Sequence, residues 1–444
     1  MEEKRYLNLG NKIGYGLGSA GFSTIYMLIV AFVMFYATDT VGLNPAIVGT
    51  LIMVSKLTDG ISDVIMGHVI DKTKTKLGKA RPWMLIAYPG LAITGILLFS
   101  VPASWGSVAK YAYFFIWYTM FNSVFFTADN LAYATLTALI TRNTNERIQI
   151  GSLRFLFSTA VYIIGATITI DSVETMGGGT VGWRNVAIVY SLVGLVLHTV
   201  SVFSVKELED ENENADVRQE KISFKETLKL LFQNKYFVYI LIMNVLGQVY
   251  GAAINTVGVY YCNYVLGDST FLGKLNGAAN IPMMIGLAIA PFVAKKLGSI
   301  YKLNMLGFIL GILLRVPLIV AGYSCNMTLI FVLTIAANFV LSPYNASLNA
   351  LVASTSEYTY KQSGKRIDGA VYSCDSFGAK VGAGIGSAAT GLLLQIGGYI
   401  EGGAVQPKSA LDMITFMYFV IPLIGLVLHM LIFSRVKVEK ELNS

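Results

Sequence analysis

Two carboxylates one helical turn apart, inside a stretch that is otherwise apolar, pose the sharpest chemical question in this chain. From Ser55 to Trp83 it reads SKLTDGISDVIMGHVIDKTKTKLGKARPW, with Asp59 and Asp63 four residues apart. Residues three, four and seven apart share a helix face, so Lys56, Asp59, Ser62 and Asp63 point the same way. A charge at a bilayer centre costs about 2.5–3.5 kcal/mol on insertion scales, and two on one face call for a use. Four carboxylate oxygens and a hydroxyl suit a hard monovalent cation held on oxygen ligands. Proton binding is the second use, because neighbouring carboxylates repel. An ion pair with Lys56 is the third, and Lys56 can neutralise only one of the two. Asp59 precedes Asp71 by twelve residues, which places it about 18 Å from the end of its span at 1.5 Å per residue.

Other polar side chains sit at similar depth. The fourth apolar stretch holds Asn122, Ser123, Thr127, Asp129 and Asn130. Thr127 and Asp129 complete a cation shell, hold a polar substrate, or satisfy neighbouring helices. Arg154 is a candidate donor to substrate hydroxyls or a carboxylate, or it snorkels to the interface. Lys380 lies in DSFGAKVGAGIGSA, about 16 Å into its span. It reads as a cavity-facing lysine or as a local partner of Asp375, and the small residues around it let helices approach closely. Asn244, Gln248, Gly251 and Asn255 form one stripe and suggest a wet central cavity, or helix–helix hydrogen bonding. Tyr26, Tyr133 and Tyr344 offer rings that could stack on a sugar's apolar face. His68, His198 and His429 show no metal spacing and receive no role. No phosphate loop, nucleophile elbow or zinc motif is present, and the glycine-rich GNKIGYGLGSAG lies within a span and reads as helix packing.

The elements that must position these residues are membrane helices. The chain is 55% hydrophobic and 13% charged, with a mean hydropathy of +0.61, whereas soluble domains carry about 25% charged residues. Stretches of about 20 apolar residues mark spans. Twelve are read, at 11–37, 46–70, 82–102, 109–139, 148–171, 184–205, 236–264, 272–294, 303–323, 327–351, 369–397 and 411–434. Of 33 Lys and Arg, 25 lie in the tails and the loops on one side, among them Lys4 and the 361–366 loop, against four on the other. By the positive-inside rule both termini are cytoplasmic. The net charge of +7 is therefore topological, and no nucleic-acid partner is expected. Three cysteines form no disulfide framework, and the polar N-terminus is not a cleavable signal. The polar segment 206–235 is acidic in its first half, with a short surface helix expected at ISFKETLKLLF. It divides the chain into a six-helix unit at 1–205 and a second at 236–444. KLGKARPWML and KKLGSIYKLNML echo each other across that division. Six plus six with a linker is the layout of the major facilitator fold, whose site lies midway between the halves. The expected fold is all-α and integral to the membrane, with twelve transmembrane helices in two six-helix bundles.

Several stretches resemble the glycoside–pentoside–hexuronide:cation symporter family of that superfamily. They are YATDTVGLNPAIVGT at 36–50, the segment at 59–83, ER-IQIGSLR at 146–154, YYCNYVLGD at 260–268, EYTYKQSGKRIDGAVYS at 357–373 and the lysine Lys380. The resemblance implies that Asp59, Ser62 and Asp63 bind the coupling cation, sodium in most members and lithium or a proton in some, with Thr127 the nearest hydroxyl of the fourth helix. It points to Asp129 as the sugar-contacting aspartate. Arg154 and Lys380 match the family's fifth- and eleventh-helix cations, and Tyr133 stands where the family has tryptophan. Ser19 and Ser23 occupy the first helix where an acidic residue is usual, and Val64 replaces a proline, so galactoside specificity is not carried over. The expected protein is a symporter of a sugar and a monovalent cation in the cell membrane, working by alternating access as a monomer, with no cofactor beyond the ion. The substrate set is Asp129, Tyr133, Arg154, Lys380, Tyr26 and Tyr344. The alternative is a sodium-coupled carrier of an anionic or lipid-like solute gripped by Arg154 and Lys380. The basic loop 71–81 reads as a latch, with Asp71 and Arg81 paired across helix ends.

Overall fold

The computed structural model describes residues 5–208, 224–365 and 367–443. Lys4, Arg366 and the acidic half of the 206–235 segment lie outside the described residues. The rest is helical, with one isolated bridge between Thr75 and Gly78. Helices that run on without a break form twelve rods. The first six are α1 (Leu9–Thr40), α2 (Pro45–Lys72), α3 (Arg81–Leu98), α4 (107–139), α5 (Thr144–Thr175) and α6 (Gly179–Ser204). The others are α7 (Lys235–Leu266), α8 (Phe271–Leu297), α9 (Ile300–Tyr323), α10 (Met327–Ser363), α11 (Asp368–Ile396) and α12 (Lys408–Phe433). Among the described residues, nine of these rods are long and apolar enough to cross a membrane. The other three, α2, α4 and α8, are of similar length. The surface helix expected in the central segment is present at Phe224–Gln233.

Local chemistry sets the rod ends. Asparagine carboxamides cap five of the starts: Asn8, Asn44, Asn143, Asn234 and Asn326 each accept from backbone N–H groups of the first turn. These caps satisfy donors that a helix leaves free at its N-terminus. Pro45 follows Asn44 at the first position of α2, where its fixed φ fits and its missing N–H costs nothing. α8 and α10 stop at Gly298 and Gly364, whose φ values of 67° and 69° favour glycine.

The first six rods pack among themselves, with α1 against α5 and α6, and the last six do likewise, with α10 against α8 and α9. Between the two sets, α2 lies along α11, α5 meets α8, and α1 touches α7. Small residues allow these approaches. A Cβ on Gly391 of α11 would sit 2.0 Å from the Pro45 carbonyl, and one on Gly273 of α8 would sit 1.6 Å from Thr167 Oγ1.

The same contacts close one end of the molecule. The Asp39 carboxylate, at the end of α1, accepts hydrogen bonds from Tyr264 (2.6 Å) and from Tyr399 beyond α11. Thr38 pairs with Tyr260 at 2.8 Å, and Asn44 Nδ2 donates to Glu401 at 3.2 Å. This seal lies at the end opposite the basic loops. Nearer those loops, a Cβ on Gly67, Gly151 or Gly369 would meet nothing within 4 Å.

Wide i→i+5 turns interrupt four rods. They span Leu28–Phe32 and Tyr36–Thr40 in α1, Met120–Phe126 in α4, Tyr261–Leu266 in α7 and Phe416–Val420 in α12. Such turns concentrate at functional positions because they re-aim the side chains beside them.

Candidate functional site

α2 brings its charged face to the plane where the two sets of rods meet. Asp59 is 2% exposed. Its Oδ1 accepts from Ser123 of α4 at 2.6 Å, and its Oδ2 lies 3.6 Å from Lys56 Nζ. Lys56 also donates to Asn122 Oδ1 at 2.9 Å. Asp63 forms an ion pair with Lys380 of α11, and the same ammonium donates to the Asp59 backbone carbonyl at 3.1 Å. Ser62 and Thr127 hydroxyls stand 3.4 Å apart, and Ser62 donates to the Asp59 carbonyl at 3.0 Å. Asp59, Ser62, Asp63 and Thr127 thus gather within one small volume. Two aspartates and two lysines share it, so its formal charge sums to zero.

Ser123, Asn122 and Thr58 join this cluster, with Thr58 and Ser123 hydroxyls 2.6 Å apart. Sequence spacing left the part of Asn122 and Ser123 open because α4 makes a wide turn at Met120–Phe126, which shifts the face that straight helical counting predicts; Thr58, on α2, carries no sequence mark of its own. The partner of Lys380 corrects the local pairing considered for it. Asp375 instead receives Asn244 Nδ2 at 2.8 Å, a contact between α7 and α11. The reach of a lysine side chain carries its ammonium across the gap to the Asp63 carboxylate and the Asp59 backbone carbonyl.

Asp129 and Tyr133 do not join the ion cluster. Asp129 is fully buried behind it, with His198 Nε2 of α6 2.9 Å from Oδ1. That separation suits an ion pair, yet neither carboxylate oxygen meets hydrogen-bond alignment with any donor. Tyr88 stacks on the His198 ring at 4.6 Å, and His198 Nδ1 faces the Gly18 carbonyl at 3.4 Å. The Tyr133 hydroxyl donates to the Tyr15 carbonyl at 2.5 Å. The Arg154 guanidinium lies over the Tyr133 ring at 4.3 Å, and its Nη1 donates to Thr137 Oγ1 at 3.4 Å. A cation over an aromatic face is a stable resting place for such a group. Tyr344 is remote from all of these. It packs in the second set of rods against Phe308, His429 and Phe433, with ring centroids 5.2, 5.6 and 6.5 Å away.

Tyr26 does face open space. It stacks on Phe126 at 4.6 Å and lines a cavity of about 200 Å³ with Lys56, Tyr118, Gln248, Asn255 and Ser387. The cavity lies between the charged cluster and the Asp39 seal. The expected wet stripe of α7 is here in part: Gln248, Gly251 and Asn255 line the space, while Asn244 is taken by Asp375.

The latch expected between Asp71 and Arg81 does not form. Arg81 Nε donates to the Val202 carbonyl at 2.8 Å. The Glu207 carboxylate accepts from the backbone N–H groups of Lys79, Ala80 and Arg81 at 2.6–3.0 Å. An anion at the helix start takes the site because three free donors and the helix dipole favour it there.

Comparison with known proteins places this architecture. The MFS/sugar transport protein family model matches residues 14–440. The isoprimeverose transporter of Lactiplantibacillus pentosus is 28% identical over 443 residues, covering 98% of this chain and 90% of that protein. The putative glycoside/cation symporter YagG of Escherichia coli (strain K12) is 26% identical, covering 94% of this chain and 89% of that protein. Among solved structures, a bacterial homolog to human lysosomal transporter Spinster, in an inward-facing and unoccupied conformation, superposes with a TM-score of 0.68 at 12% identity. The match covers 97% of each chain.

Proposed function

This chain belongs to the MFS/sugar transport protein family, a family of carriers and not of enzymes, and from that premise we propose that it imports a sugar together with sodium by alternating access. One observation carries the proposal: the ammonium of Lys380, on the second set of rods, rests on Asp63 and on the Asp59 carbonyl of the first. A cation entering among Asp59, Asp63, Ser62 and Thr127 takes the place of that ammonium. Oxygen ligands of this kind suit small hard cations. Displacing Lys380 removes a tie between the two halves, so ion occupancy and the relative position of the halves become linked. A ligand shifts a conformational equilibrium only through such a difference in contacts. Sugar then occupies the cavity beside Lys56, between the ion and the Asp39 seal.

With the basic loops in the cytoplasm, the end sealed at Asp39 faces outward, so a load leaves toward the cell. In this reading the captured state is the one that releases its load to the cell. An inside-negative potential of 100 mV adds about 2.3 kcal/mol per charge moved to the driving force. The anionic-solute reading requires Arg154 to be free, and here it lies over the Tyr133 ring and donates to Thr137.

The test is uptake by protein reconstituted into vesicles, with isoprimeverose and simple glycosides as labelled substrates and sodium, lithium and pH varied independently. Sodium-stimulated accumulation is expected for at least one sugar. Asp63→Cys and Asp59→Cys are expected to lose accumulation while keeping sugar binding. Normal concentrative uptake by both variants would sink the assignment of the pair.

A further inference from the structure

α7 carries two side-chain amides that the protein itself leaves unused. Gln248 and Asn255 are both exposed on this largely apolar rod. None of the described hydrogen bonds reaches either carboxamide, whereas Asn244, one turn earlier, is held by Asp375. Both line the cavity between the halves. Seven residues separate them, which puts them on one face about 10 Å apart. The surface between them is bare: Gly251 lies there, and a Cβ on it would meet nothing within 4 Å. Across the cavity stand Tyr26, Tyr118 and the apolar side chains Val30 and Val33. Both amides face the cavity with hydrogen-bonding capacity that the protein does not fill, so a solute entering the cavity meets donors and acceptors ready to engage it.

The chemistry of that ligand follows from the wall. A carboxamide offers two N–H donors and one acceptor oxygen, which matches a hydroxyl pair that both donates and accepts. A carboxylate would be met by an unpaired cation. The lining's Lys56 is already held by Asp59 and Asn122. The opposite wall of rings and branched aliphatics suits the C–H face of a sugar ring. We propose that Gln248 and Asn255 grip the two ends of an uncharged pyranose lying over Gly251, so that α7, from the half without the aspartates, sets sugar specificity. This rests on the sugar-symport reading above and narrows it to neutral sugars.

The experiment uses the full-length protein in vesicles with labelled D-xylose, methyl α-D-glucopyranoside and D-glucuronate. Wild-type protein is expected to take up a neutral sugar in a sodium-stimulated manner and to leave glucuronate. Gln248→Leu and Asn255→Leu each raise the half-saturating sugar concentration about tenfold, while the half-saturating sodium concentration stays within about twofold. Gly251→Leu fills the bare surface and abolishes uptake. Thermal unfolding in detergent reports whether each variant is folded, and should the leucine variants unfold, Gln248→Ser and Asn255→Ser carry the same expectation. Unchanged sugar half-saturation in folded Gln248 and Asn255 variants overturns the α7 assignment. Preferential uptake of glucuronate by wild type overturns the neutral class. Wild-type protein that carries no sugar under any ion gradient would instead strike the symport reading itself.

Discussion

At the scale of single residues, the charged cluster is a competition. Lys380 holds the carboxylate that a cation needs. Replacing it with the similarly shaped but uncharged methionine removes the competitor, so Lys380→Met is expected to lower the half-saturating sodium concentration for sugar binding about tenfold. The same variant loses concentrative uptake, because ion binding no longer releases a tie between the halves. Sodium titration of sugar binding checks the first, and vesicle uptake the second. A different pair tests burial. His198 is the one neighbour within reach of the Asp129 carboxylate among the described contacts. Removing one partner of a buried pair costs about 3 kcal/mol or more. His198→Gln is therefore expected to lower the thermal unfolding temperature markedly, with Asp129→Asn added to it restoring part of the loss. Asp59 and Asp63 were legible from sequence because charge inside an apolar run is conspicuous. The role of His198 was not. Nothing local links it to an aspartate 69 positions earlier, and a buried histidine has many neutral uses.

At the scale of elements, the rods were legible and their faces less so. Apolar length locates most helices within a few residues, while α10 runs to Ser363, twelve residues beyond its apolar stretch, because its last turns are polar. The wide turns in α1, α4, α7 and α12 leave no comparable sequence mark, and they decide which side chains meet. The Asp39 seal is a case in point. Asp39 lies within the second wide turn of α1 and Tyr264 within that of α7. Its two tyrosine partners come from the other half of the chain. Asp39→Asn keeps the size of the side chain and gives up a charge-assisted pair of bonds, which are about twice as strong as neutral ones. The variant is expected to spend more time unsealed. A cysteine at Val33, which lines the cavity below the seal, should react with a membrane-impermeant maleimide several-fold faster from the sealed side in the Asp39→Asn background. Equal labelling rates in the two backgrounds would show that the seal is held by packing alone.

At the scale of the whole molecule, charge and symmetry act together. Lys56, Asp59, Asp63 and Lys380 cancel with no ion present, so the empty carrier moves no net charge across the membrane at its centre. Adding sodium and a neutral sugar adds one positive charge. Uptake is then expected to rise as a potassium diffusion potential is made more negative inside, and uptake indifferent to that potential would contradict this charge balance. A second regularity spans the chain. His198 of α6 and His429 of α12 are both buried, 231 positions apart, and each leaves its Nε2 without a hydrogen bond. Each stands beside tyrosine, His198 by Tyr88 and Tyr133, His429 by Tyr250 and Tyr344. The two halves thus repeat a histidine among tyrosines, and only the first adds an aspartate.

The wide turns carry a mechanical corollary. Each holds one residue more than an ordinary turn, so tightening it spins everything beyond by roughly 100°, one residue's share of a helical turn. Asp39 and Tyr264 sit in two of them, and Asn122 and Ser123 of the ion cluster in a third. Winding up such a coil by a single notch would swing a latch or a ligand out of reach while the cylinder bearing it stays put, giving the carrier a swivel as well as a rocker.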